Sequence, residues 1–178
     1  MGAKAGVARS MAAALLLLAA CRASAPAPPL ERETPVRLPP RDATGALTQA
    51  QRDSLLRELD VHREAWRARH IDAYRIQVAA GCFCPWPSTP AILEVRSGIA
   101  VALRDTSGKS MGTPREPWSA YTVEGLFDAV EQTARRSDVL QVAYDPQYGY
   151  PAMMRGDSKL GLPDDWFWVK ASRLTPAR

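Results

Sequence analysis

Cys82 and Cys84 stand two residues apart, between Gly81 and Pro85. A pair of thiols can close a disulfide, exchange electrons with other thiols, or hold a soft metal such as copper or zinc. In an extended strand, residues i and i+2 share a face, but their Cβ atoms lie too far apart for the ~3.8 Å a disulfide wants. A bridge therefore needs a tight bend, which Gly81 and Pro85 favour. A metal needs more ligands than two thiolates. The two histidines, His62 and His70, are eight residues apart on one expected helix. That is ~12 Å along its axis, too far to share an ion, and we assign no metal site.

Other chemistry is thinly represented. Asp145 precedes a proline, and Asp164-Asp165 follows Pro163, both typical of turns. No histidine or lysine converges with these residues or with Asp157 to suggest acid–base work. There is no Gly-x-Ser-x-Gly elbow, phosphate loop or nucleotide fingerprint. We assign no catalytic residue and no cofactor, and read the chain as a non-enzymatic protein. The aromatic residues Trp86, Tyr148, Tyr150, Trp166 and Trp168 form the candidate surface for a ligand or partner.

The third cysteine speaks to location. Lys4 and Arg9 precede an apolar run, Met11 to Leu18, and then Leu18-Ala19-Ala20-Cys21. The run is too short to span a bilayer, which takes ~20 apolar residues. The segment resembles the signal and lipobox of bacterial lipoproteins. That resemblance implies cleavage before Cys21, lipid on its thiol, and a membrane-attached protein of the cell envelope. Arg22, rather than Asp, after the cysteine points to the outer membrane by analogy with enterobacterial sorting. In such an oxidising compartment Cys82 and Cys84 remain as a pair.

Residues 1–20 are then the signal peptide and 21–46 a lipid-anchored linker carrying Pro26, Pro28, Pro29, Pro35, Pro39 and Pro40. At ~3.1 Å per residue, about 24 such residues reach roughly 70 Å when fully extended. Residues 47–178 are long enough for one domain with a core. Without Lys4 and Arg9, the 23 basic residues fall to 21 against 19 acidic ones, interspersed along the chain. That pattern lacks the basic stripe of a nucleic-acid binder.

Within the domain, Leu55, Leu59, His62 and Trp66 recur at helical spacing after a Thr48/Gln51 capping box, predicting a helix from Thr48 to His70. Alternation predicts strands at Ala73 to Ala80, Ile92 to Arg96 and Ile99 to Arg104, the last two joined at Ser97-Gly98. A second helix is expected from Val123 to Arg136, capped by Thr122. Strands follow around Leu140 to Tyr144, Tyr150 to Arg155 and Trp166 to Leu174. The expected fold is α+β: helix–three strands–helix–three strands, an antiparallel sheet with both helices packed on one face.

Several segments carry a further resemblance. They are Trp66 with Asp72-Ala73-Tyr74-Arg75, Cys82-Phe83-Cys84-Pro85, Val95-Arg96-Ser97-Gly98, Thr122-Val123-Glu124-Gly125-Leu126-Phe127 and Tyr144-Asp145-Pro146-Gln147-Tyr148-Gly149-Tyr150-Pro151. Together they resemble an uncharacterised family of exported bacterial proteins, many of them lipoproteins, over about residues 50 to 174. Gly125 departs from that pattern, in which an acidic residue is commoner. The resemblance implies export and a mixed fold but no activity. Two functions are therefore expected. One is a membrane-anchored envelope lipoprotein serving as a non-enzymatic binding or structural module, with an envelope protein or glycan as its partner. The alternative is a thiol-redox or soft-metal-handling lipoprotein using Cys82 and Cys84.

Overall fold

A computed structural model describes residues 45–82, 89–162 and 164–177. The lipobox with Cys21, nearly all of the linker, Cys84 and Trp86 lie outside the described residues.

Helix α1 spans Gln49–Arg67. Its capping box is closed: Gln51 N donates to Thr48 Oγ1 at 3.3 Å, and Thr48 N to Gln51 Oε1 at 2.8 Å. The helix stops three residues before the expected His70. The Arg69 and His70 amides turn back to the carbonyls of Trp66 and Arg67, and His70 sits at φ +50°. A side chain adopts that left-handed geometry as a single residue, not as part of a right-handed helix.

Four strands follow: β1 Ala73–Cys82, β2 Ala91–Arg96, β3 Ile99–Asp105 and β4 Ser110–Gly112. A 3-10 turn at Trp118–Ala120 leads into helix α2, Val123–Arg136. Strands β5 Val139–Tyr144, β6 Pro151–Asp157 and β7 Trp166–Pro176 complete the domain. The expected order gains a strand, becoming helix–four strands–helix–three strands. Strand β4 is three residues long and wholly exposed, so it has no alternation of polarity to betray it.

The seven strands form one antiparallel sheet in the order β4-β3-β2-β1-β7-β6-β5, confirming an α+β fold. Each half is a run of sequential neighbours, and β1 against β7 joins the halves. The β2–β3 hairpin turns at Ser97 and Gly98, both at positive φ, the signature of a type I′ turn. At the β5–β6 turn, the Asp145 carboxylate accepts from the amides of Gln147 and Tyr148 at 3.0 and 2.7 Å.

Alternate residues of the strands, among them Tyr74, Ile76, Val78, Leu93 and Met154, join Leu59 and Trp66 of α1 in one core. From α2 come Leu126, Phe127 and Val130. The helices run antiparallel. Arg52 Nη1 donates to the Ala134 carbonyl at one end, and Arg63 reaches Asp128 and Glu131 further along. They do not lie on the sheet as equals. Helix α2 rests on β5 and β6, whereas the main neighbour of α1 is α2. Two aromatic contacts bring α1 to the sheet: His62 stacks on Tyr144 at 3.7 Å, and Trp66 meets Tyr74 edge-on at 5.6 Å. Among the described residues, no helix is long and apolar enough to cross a membrane.

Candidate functional site

Where α1 ends and α2 begins, the two helices leave a groove lined by Arg63, Trp66, Arg67, His70, Ile71, Asp72, Glu124, Phe127 and Asp128. Its organising residue is Glu124, in the first turn of α2, where a negative charge complements the helix dipole. Trp66 Nε1 donates to Glu124 Oε1 and the Tyr74 hydroxyl donates to Oε2, both at 3.0 Å. Trp66 and Tyr74 are themselves buried, so each supplies a fixed donor. Tyr74 also acts as an acceptor, taking the Val123 amide at 2.8 Å and so satisfying an N–H at the head of α2.

The electrostatics keep this arrangement intact. Burial, then the nearby Glu124 charge, pushes the Tyr74 phenol well above its ordinary value. It stays protonated and serves as a donor to the carboxylate. Glu124 is nonetheless exposed on its groove side, so a carboxylate oriented by two donors faces solvent. Arg63 is held against the groove by Asp128 at 3.2 Å and Glu131 at 3.0 Å, with its guanidinium 5.8 Å from the Phe127 ring centre. Arg67 pairs with Glu64 at 2.7 Å. The groove thus combines an oriented acceptor, basic groups on its α1 side and an apolar floor. That equipment suits recognition of a polar ligand.

Residues singled out from sequence are scattered. Cys82 closes β1 in register with Phe167 of β7, but Cys84 lies outside the described residues. Trp166 is partly exposed, and Trp168 lies across Gly81, where an added Cβ would come 2.4 Å from the indole nitrogen. Trp168 faces Arg155 across β6, whereas Phe167, on the opposite side of β7, packs against the core. Tyr148 packs against the core with the Arg69 guanidinium 5.5 Å from its ring centre. Tyr150 corrects the expected surface: it is 1% exposed and belongs to the core. Among the described members of the set, Tyr148 and Tyr150 precede β6 while Trp166 and Trp168 pair with its last residues.

His62 borders the core as its helical spacing suggested, and burial lowers its pKa, partly offset by Glu58. His70 is exposed beyond α1 and lines the groove. Among the described residues, no group of three or more histidine, cysteine, aspartate or glutamate side chains can hold a metal ion. Sequence reasoning missed the Trp66–Glu124–Tyr74 constellation because it draws on three separate elements. One signal was present: two aromatic side chains whose polar tips need acceptors when buried, and a glutamate just inside a helix start.

Compared with known proteins, residues 58–176 match the model of a family of unknown function. No curated protein and no solved structure matches the chain.

Proposed function

The chain belongs to DUF6174, a family of unknown function, and from that premise we propose a bacterial envelope lipoprotein that acts as a binding or structural module. In this reading lipid on Cys21 anchors it, residues 22–46 form the tether, and the α+β domain meets a partner protein or glycan. The supporting observation is the exposed carboxylate of Glu124, fixed by Trp66 and Tyr74 in a groove that also carries Arg67 and His70. A carboxylate immobilised before its ligand arrives costs less ordering on binding than a free side chain. Localisation and binding are tested separately. Cys21→Ser should release the protein from membranes. Crosslinking on intact envelopes should enrich a partner with the wild-type protein and lose it with Glu124→Ala. Retention of Cys21→Ser in the membrane refutes the anchor, and failure to enrich any partner refutes the binding role.

A second reading uses Cys82 and Cys84 as a thiol-redox or soft-metal pair. It is supported by the two thiols standing two residues apart in sequence, the first of them on β1 in register with Phe167 of β7. Thiol titration with and without reductant, together with metal analysis, separates the readings. An inert pair with no bound metal refutes this one.

A further inference from the structure

The connection between β6 and β7 holds apolar side chains out into water. Leu160 is 37% exposed, Leu162 56% and Trp166, at the start of β7, 38%. Polar residues hold the connection in place. Lys159 N donates to Asp165 Oδ2 at 2.8 Å, and Leu160 N to Asp138 Oδ2 at 3.0 Å. Ser158 N donates to the Asp165 carbonyl and Leu162 N to that of Lys159. The exposure of the leucines is therefore built into the local hydrogen bonding.

The tip has a definite relation to the linker. Leu47 N donates to the Asp138 carbonyl at 2.7 Å, and Asp138 N to that of Ser158 at 3.1 Å. Asp138 thus bonds both to Leu47, just ahead of α1, and to the β6–β7 connection. Leu47, the first residue after the proposed linker, and Leu160 therefore bond to the same aspartate. The other large exposed apolar side chains of the sheet do not share this end: Ile99, Val101 and Met111 belong to β3 and β4, at the far edge.

We propose that Leu160, Leu162 and Trp166 form a membrane-facing tip that seats the domain in the headgroup–acyl boundary of the bilayer to which Cys21 is tethered. This rests on the lipid-anchor reading above. Tryptophan and leucine are side chains that settle in that boundary. Around the tip, Arg155, Lys159 and Lys170 are outnumbered by Asp138, Asp157, Asp164 and Asp165. Contact is then apolar rather than electrostatic and does not call for anionic lipid. The tether supplies what three side chains lack in affinity, by holding the tip at high local concentration near the surface.

The test uses the processed, lipidated chain reconstituted into phosphatidylcholine vesicles, with and without brominated acyl chains that quench nearby tryptophan. Flotation reads the anchor, and quenching reads the tip. The wild-type protein should float and be quenched, with quenching unchanged by salt. Trp166→Phe should float equally well but lose most of the quenching. Leu160→Gln/Leu162→Gln should float with reduced quenching and an unchanged melting temperature. A wild-type protein that floats without quenching overturns the tip while leaving the anchor intact. So does quenching indifferent to Trp166→Phe, or crosslinks that join two copies through the tip. A wild-type protein that does not float overturns the anchor, and the tip with it.

Discussion

The Tyr74 hydroxyl bridges two parts of α2 at once, accepting from the Val123 amide and donating to the Glu124 carboxylate. One oxygen on the sheet thereby fixes the start of a helix and the orientation of its exposed acid. Tyr74→Phe removes both bonds and leaves a buried amide unsatisfied, at a cost of about 1–3 kcal/mol. Glu124→Gln keeps an acceptor and should cost less. Urea unfolding of the two variants measures the difference, and equal losses would count against the bridging role.

Gly125 offers a steric test. A Cβ there would lie 2.0 Å from the Ala120 carbonyl oxygen, because the 3-10 turn folds back against the first turn of α2. Gly125→Ala normally stabilises a helix by about 1 kcal/mol. Here the clash with backbone should reverse the sign, destabilising by roughly 1–3 kcal/mol. A rise in melting temperature would show that the turn moves aside freely.

Ser97 tests the hairpin. It occupies a left-handed position at φ +50° beside Gly98. Ser97→Asn should stabilise by a few tenths of a kcal/mol, since asparagine is favoured at the first centre of a type I′ turn. Thermal unfolding reads the shift, and a lower melting temperature contradicts the turn assignment.

The pH response has two limbs. Burial lowers the His62 pKa, so the unfolded chain takes up the proton first. Stability should fall as pH drops from the ordinary value of about 6.5 towards the folded value, then level off with respect to this group. His62→Phe should remove that slope. Tyr74, Tyr144 and Tyr121 are all raised, with burial the largest cause. Their unfolded phenols ionise first, so stability should also fall as pH climbs past about 10. Urea midpoints across both ranges check the signs.

Both helices were legible from sequence because each announces itself twice, by a threonine cap and by an apolar stripe. The spacing through Trp66 carries the expected α1 to His70 because it does not encode the left-handed turn there. Strand β4 was hidden by its brevity. Trp166 and Trp168 were correctly placed on one side of their strand by alternation. Tyr150 shares the parity of the buried Ala152 and Met154, opposite to the exposed Arg155, so alternation along its strand points it to the core where its aromatic type alone suggests a surface. The groove was illegible for a different reason: Trp66, Tyr74 and Glu124 meet only after the helices have packed beside the sheet. Each lies in a segment that carries the family resemblance, so the pieces were visible while their meeting was not.

The pairing of β1 with β7 also governs the order in which the molecule can assemble. Residues at the start of the sheet find their central partner only in the final strand, with Tyr74 opposite Pro176 and Cys82 opposite Phe167. Closing so long a loop is slow, and the two halves of the sheet have no shared seam until it happens. A chain threaded through a narrow channel from its N-terminus would thus have to emerge as far as β7 before the sheet could knit shut. Trimming β7 should split the sheet into a four-stranded meander and a β5–β6 hairpin, joined only through the helices.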